Sequence, residues 1–299
     1  MLNKISVKDH LKGKEESHYI TLPFYLDSKP LENSPKWGMT LLTAGTMRFR
    51  WNETNQNRED QIKQILKELD KFTCSGSCVG EGHLCDCKKK FTSVELIHSK
   101  IVLEAKSAED TLNQKADGII TRNRFLVPAV TVADCVPLFL YDTESGAVGA
   151  FHSGWKGTGI VGEGVKKMTE LYGSKPEKIC AAIGPHIGNC CYNVDEERKV
   201  YFTENFGPQC ISKPSVIKDE RFPYALSLTE ANLIVLKNAG IPEENIVVAT
   251  DCTCCTCFDS NSKKNVFGSF RRQAAFLPPE LDADARSKSM TVQAAFVIY

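Results

Sequence analysis

The chain predicts a mixed α/β fold of the α+β kind, in which layered sheets are flanked by helices. Three observations carry that prediction. Short apolar runs rich in β-branched residues recur from Val94 to the terminal VQAAFVIY, each bounded by turn formers. Such runs are the pattern of strands buried on both faces. Stretches with apolar residues at three- and four-residue spacing lie among them, as helices packed on one face require. The two kinds mix along the whole chain, with no tandem repeat and no low-complexity tract.

Residues 1–36 are polar and mixed, and read as an N-terminal extension to a single domain over 37–299. From Glu53 to Phe72 a helix is expected, because Ile62, Ile65, Leu66 and Leu69 share one face with charges between them. Cys74 to Lys90 is rich in Gly, Cys and Lys and reads as a loop or small knuckle. VELIHSKIVL and GIIT are β-like. VTVADCVPLFLYD reads as a buried strand, and GAVGAFHSGW as a second that breaks into a Gly-rich turn, Gly154 to Gly159. A helix follows, with Ile160, Val161, Val165, Met168 and Leu171 on one face. CAAIGP is another strand, 195–206 and 228–239 are helices, and Gly240 with Pro242 stops the second of these. IVVAT at 246–250 and the terminal run complete the strands.

A length of 299 residues is ample to bury a core, and 42% hydrophobic with 25% charged residues is close to the globular average. Lys+Arg and Asp+Glu both total 37, a net charge of +0. No nucleic-acid partner is expected, since phosphate neutralisation needs a basic footprint. No apolar run is long enough to span a bilayer, so no membrane association is expected. The polar start MLNKISVKDHLKGKEESHYI lacks the apolar stretch of a secretory signal, and the expected location is cytoplasmic. There the 13 cysteines should be mostly reduced. Their odd number fits complete pairing poorly, which leaves metal ligands, reactive groups and small buried apolar side chains.

Three residues stand out as a metal constellation: His98 in ELIHSK, Cys135 in VTVADC and His152 in GAFHSGW. All lie in or at the ends of β-like runs, where sites assemble. Two imidazoles and a thiolate suit Zn²⁺ or copper, and three protein ligands leave a fourth position for water or substrate. The bland alternative is a small buried thiol and two hydrogen-bonded histidines. Asp117 and Asp134 either orient ligands or cap turns. Two cysteine groups could build a second metal site: Cys74, Cys78, Cys85 and Cys87 around His83, and Cys252, Cys254, Cys255 and Cys257. Each has enough thiols for a closed zinc or iron–sulfur site. One site shared between the two loops, or disulfides, are the alternatives.

VADCVPLFLYD, AFHSGWKGT and IGPHIGNCCYNVDEE, in that order, with FGSFRRQAA after them, resemble the laccase-domain (YfiH-like) family over about residues 37–299. The resemblance implies a four-layer α/β/β/α sandwich with mixed sheets. It implies a zinc or copper ion held by His98, Cys135 and His152, where His98 stands in LIHS and the family shows QVHG. It also implies phosphorolysis of adenosine, inosine, guanosine and methylthioadenosine, and deamination of adenosine. The implied partners are a small nucleoside and phosphate.

Phosphate is held by Arg, Lys or backbone N–H groups. Lys156 in the Gly-rich turn is one candidate, or else a solvated charge. Arg271 and Arg272 are others, and in a strand only one of the two would face the site. The family's opening FTTRxGG segment corresponds to GMTLLTAGTMRFRWN, where Arg48 or Arg50 is the candidate replacement for its arginine and Asn52 matches an SFN position. The closing GRQ segment is replaced by MTVQAAF, and LPPELDADARSK is inserted before it. His186 lines the pocket or covers a loop. Three other readings compete. Copper-dependent phenol oxidation is disfavoured by only 6 His and no His-x-His pair. A cysteine amide hydrolase editing cell-wall precursors would use Cys135 as nucleophile and His152 as base. A metal-responsive binding protein would use the cysteine clusters.

Overall fold

The computed structural model describes residues 2–69, 88–214, 220–259, 264–274, 277–278 and 280–299. Two mixed sheets dominate it. The seven-stranded sheet runs in the order Asn3–Ile5, Ile246–Ala249, Ile179–Ile183, Val136–Asp142, Val148–Ser153, Gly118–Thr121, Val102–Glu104. The five-stranded sheet runs Tyr19–Pro23, Lys36–Thr40, Gln293–Ile298, Leu126–Val132, Lys90–Ser93.

The central strands Val136–Asp142, Val148–Ser153 and Ile179–Ile183 are buried almost throughout because both faces are covered. In Val136–Asp142, alternate side chains point opposite ways. Val136, Leu138 and Leu140 pack in the cluster that contains Ile160, Val161, Val165 and Met168 of helix Ile160–Tyr172, Phe202 of helix Glu196–Phe206 and Leu236 of helix Leu228–Asn238. Phe139 points the other way, into a cluster with Trp37, Met39, Val130, Val132, Ala295 and Val297 of the second sheet, and stacks on Trp37 at 5.5 Å between ring centroids. On the outer face of the five-stranded sheet, Ile65 of helix Gln56–Leu69 packs with Val127, Ala129, Phe296 and Ile298. The order is helix, sheet, sheet, helices, which is the expected four-layer α/β/β/α sandwich.

The helix Ile160–Tyr172 comes close to its sheet through a slot walled by glycines. A Cβ placed on Gly118, Gly149 or Gly164 would lie 2.6, 2.7 or 2.5 Å from the ring of Phe151. Only hydrogen at these three positions leaves the ring its place.

Several expectations need correction. VTVADCVPLFLYD is not one strand: Leu126–Val132 and Val136–Asp142 belong to different sheets, and Ala133 to Cys135 carry the chain across. The helix expected from Glu53 to Phe72 begins at Gln56 and is described as far as Leu69. Residues Phe270–Gln273 form one helical turn rather than a strand, because the Ser269 hydroxyl accepts from the Arg272 amide and caps it. The first 36 residues supply Asn3–Ile5, parallel to Ile246–Ala249 in one sheet, and Tyr19–Pro23, antiparallel to Lys36–Thr40 in the other. Cys74, Cys78, His83, Cys85 and Cys87 lie outside the described residues. Among the described residues, no helix is long and apolar enough to cross a membrane.

Candidate metal centre

The crossover between the sheets sets the position of Cys135. The chain turns at Asp134, whose φ of 80° is in the left-handed region that Asp tolerates better than most side chains. Its carboxylate accepts from the Thr253 hydroxyl at 2.6 Å, the Ser269 hydroxyl at 3.0 Å and the Arg271 amide at 2.6 Å. Burial pushes the Asp134 carboxyl above its ordinary range against these three donors.

His152 lies near the end of strand Val148–Ser153 and is buried, with Nδ1 2.9 Å from Asp117 Oδ1. Asp117 is fully buried and also accepts from the His98 amide at 3.0 Å, the Ser99 amide at 2.6 Å and the Ser99 hydroxyl at 2.7 Å. One carboxylate thus orients the ring of one histidine and holds the backbone of the other. His98 is not in a strand, as its β-like surroundings imply, but in a turn with φ 59°. That turn brings its imidazole inward: the ligand atoms of His98, Cys135 and His152 all lie within 4.8 Å of one another. The two rings meet edge to face at 4.9 Å. Gly154 closes the cradle, since a Cβ there would sit 3.1 Å from His98 Cδ2 and 3.4 Å from Cys135 Sγ. Gly157 is forced too, by the Ser99 carbonyl 2.9 Å from where its Cβ would be.

The electrostatics are those of an ion pair. Burial alone pushes the Cys135 thiol up, but the attraction and hydrogen bonds of His152, then those of His98, bring it down to about 6. Burial likewise disfavours the His152 cation, yet Cys135 and then Asp117 raise it to about 9. The Asp117 carboxyl is opposed by burial but held below its usual range by hydrogen bonds from His152 and Ser99. A thiolate and two imidazoles converging from three segments fit Zn²⁺ or copper. The carboxylate behind His152 fixes the tautomer that leaves Nε2 for an ion, an arrangement usual behind metal-binding histidines.

The remaining candidates fall in different places. Lys156 is exposed, its Nζ 5.3 Å from the centre of the Trp155 ring. The Arg271 amide holds Asp134, and its guanidinium meets the Asn193 carbonyl at 3.3 Å and the Tyr192 ring at 5.5 Å. Burial pushes the Tyr192 hydroxyl up to about 12, and it lies within the field of Arg198, Cys135 and Arg271. Arg198 also covers the Trp155 ring at 5.0 Å. Tyr192 thus feels the charge of Cys135, and Arg198 links it to Trp155; none of the three is a candidate from sequence. Arg198 sits in VDEERK, a charge run that reads as a solvated helix face, and only the Asp195 cap that accepts from its amide marks the spot. Arg272 is spent on the carbonyls of Thr253 at 2.9 Å, Cys254 at 2.7 Å and Phe267. Arg48 is neutralised by Glu53 at 3.1 Å and Asp284 at 2.5 Å, a carboxylate from the inserted segment, and Asn52 lies in an exposed turn. His186 is buried, bonded to the Gly184 carbonyl at 2.8 Å and the Thr229 hydroxyl at 2.9 Å. Of the second cysteine group, Cys252 and Cys255 meet Cys190 and Cys191 rather than Cys257, whose sulfur faces the Asn265 amide at 3.1 Å.

The chain belongs to the multi-copper polyphenol oxidoreductase laccase family, whose model matches residues 81–276. It is similar to the purine nucleoside phosphorylase YlmD of Bacillus subtilis, 36% identical over 169 residues, which is 54% of this chain and 55% of that one. It is also similar to the adenosine deaminase RL5 of an unknown prokaryotic organism, 34% identical over 145 residues, 46% of this chain and 53% of the other. The chain spans about half the length of the curated relatives it matches. Among solved structures, the hypothetical protein YfiH of Bacillus licheniformis superposes with a TM-score of 0.66 at 25% identity, covering 88% of this chain and 92% of that one. YlmD of Geobacillus stearothermophilus shares the fold with the same TM-score of 0.66 at 23% identity, covering 89% and 92%.

Proposed function

We propose that the chain is a metal-dependent purine nucleoside enzyme, which cleaves adenosine, inosine, guanosine or methylthioadenosine with phosphate and deaminates adenosine at the same centre. The convergence of His98, Cys135 and His152 carries this reading, and the names of the relatives supply the substrate class. Zn²⁺ or copper held by these three side chains would supply Lewis acidity.

The rest falls to the chain's own groups. Asp117 keeps the proton on His152 Nδ1 and fixes the His98 turn, so neither ring needs to reorganise during the reaction. His98 is the exposed member of the three and marks the side from which substrate enters. In phosphorolysis a phosphate oxygen bonds to the anomeric carbon while the bond to the purine nitrogen breaks, and the electron pair leaves with the base. The phosphate needs cations aimed at it. Arg198 and Arg271, whose charges both act on Tyr192, and the exposed Lys156 are the cations this reading assigns to it.

A second reading draws on the low Cys135 thiol beside His152, which suits a cysteine nucleophile for amide hydrolysis. A nucleophile needs one base, however, and a second imidazole within the same 4.8 Å favours an ion. Product analysis separates them. Adenosine, inosine and methylthioadenosine are incubated with metal-loaded protein, with and without phosphate. Free base that requires phosphate identifies the phosphorylase, and inosine from adenosine without phosphate identifies the deaminase. No turnover of any nucleoside, together with acyl transfer to Cys135, would select the amide hydrolase.

A further inference from the structure

A second cysteine cluster lies outside the centre described above. Strands Ile179–Ile183 and Ile246–Ala249 are parallel neighbours, so the loops that follow them leave the same edge of the sheet. The loops join at an isolated bridge between His186 and Cys252, and the Thr253 amide donates to the His186 carbonyl at 3.0 Å. One loop carries Cys190 and Cys191. The other carries Cys252 and Cys255 at C-x₂-C spacing, closed by the Thr256 amide on the Cys252 carbonyl at 3.0 Å. The four sulfurs lie within 4.8 Å of one another, and Cys190 Sγ is 3.7 Å from Cys255 Sγ.

We infer that Cys190, Cys191, Cys252 and Cys255 form a closed, four-thiolate structural zinc site that braces the loops behind the first centre. The separation carries the argument. With metal–sulfur bonds of about 2.3 Å, the edge of a thiolate tetrahedron is about 3.8 Å. A disulfide needs roughly 2.05 Å. The Gly188 amide donates to Cys252 Sγ at 3.2 Å, as amides do to metal-bound thiolates. Gly188 packs closely there, since a Cβ would sit 3.2 Å from Cys190 Sγ and 3.6 Å from Cys252 Sγ. Four protein ligands leave no open position, which makes the site structural rather than catalytic.

The two loops hold Asp134 from both sides. Thr253 donates to its carboxylate at 2.6 Å and the Ile187 amide to its carbonyl at 3.0 Å, while Arg272 grips the Thr253 and Cys254 carbonyls. Asp134 precedes Cys135, so an ion in the four-thiolate site positions a ligand of the first centre without touching it.

Protein purified under reducing conditions is assayed for zinc by elemental analysis. Cys255→Ser and Cys190→Ser are each expected to lose about one equivalent of zinc relative to wild type, and Cys257→Ser to lose none. Should the variants not fold, alkylation mapping of wild-type protein decides the matter. Cys190 and Cys255 are the exposed thiols of the group, yet with metal bound they should resist N-ethylmaleimide, and a chelator should release all four together. Equal alkylation with and without chelator would overturn the proposal. So would unchanged zinc in a folded Cys255→Ser, a Cys190–Cys255 disulfide found by mass spectrometry, or iron with acid-labile sulfide in place of zinc.

Discussion

A single buried carboxylate reaches both histidines of the centre: Asp117 accepts from His152 Nδ1 and from the amides of His98 and Ser99. Asp117→Asn would turn an amide N–H toward one of these donors and weaken the site without removing a ligand. Metal affinity should fall about 10- to 100-fold, read by competition with a chromophoric chelator. The ion pair gives a second prediction, for the metal-free protein. The Cys135 thiol is lowered, so its share of the stabilisation exists at high pH and is lost as pH falls through about 6. His152 is raised, so its share exists at low pH and is lost as pH rises through about 9. The pair is fullest between those limits, and the values belong to it jointly. Alkylation of Cys135 by iodoacetamide should therefore rise with pH through about 6, and in His152→Ala should shift toward the ordinary thiol range. A profile unchanged by that substitution would count against the pairing. Cys135 and His152 are legible in the sequence because each interrupts an apolar β run. The inward aim of His98 is not, since it depends on a left-handed residue held by a carboxylate 19 positions away.

Among the elements, helix Ile160–Tyr172 and its strand are tied by the Phe151 ring. A methyl on Gly164 would lie 2.5 Å from that ring, a clash that requires helix or ring to move. Gly164→Ala should destabilise by roughly 1–3 kcal/mol as an overpacked core does, seen as a lower denaturation midpoint. Gly162→Ala, whose Cβ would be 3.2 Å from one Val235 methyl, should cost less. Element types follow from periodicity: the helices at 160–172, 196–206 and 228–238 and the strands at 148–153, 179–183 and 293–298 lie where the patterns place them. The break at Ala133 to Cys135 is hidden because both flanking strands are buried and no Gly or Pro marks the crossover. The Arg271 turn is hidden because it depends on a serine cap and on the buried Asp134 carboxylate, which accepts from its backbone.

For the whole molecule, the two sheets act as one scaffold whose crossover carries Cys135, with His152 near the end of strand Val148–Ser153 and His98 in a neighbouring turn. Layered sheets with helices are legible from alternating patterns alone; the four-layer order comes from the family motifs. Which loops meet is set by strand order, and that is why Cys252 and Cys255 find Cys190 and Cys191 rather than their own neighbour Cys257. The central claim is that one ion held by His98, Cys135 and His152 drives the turnover of purine nucleosides. Its most direct test is a zinc titration of metal-free protein, with release of free base from inosine in phosphate followed at each step, in wild type and in His152→Ala. The account predicts that activity rises with occupancy of this centre in wild type and stays at background in the variant at every zinc level. Equal rates in the two proteins, or full activity without metal, would contradict it.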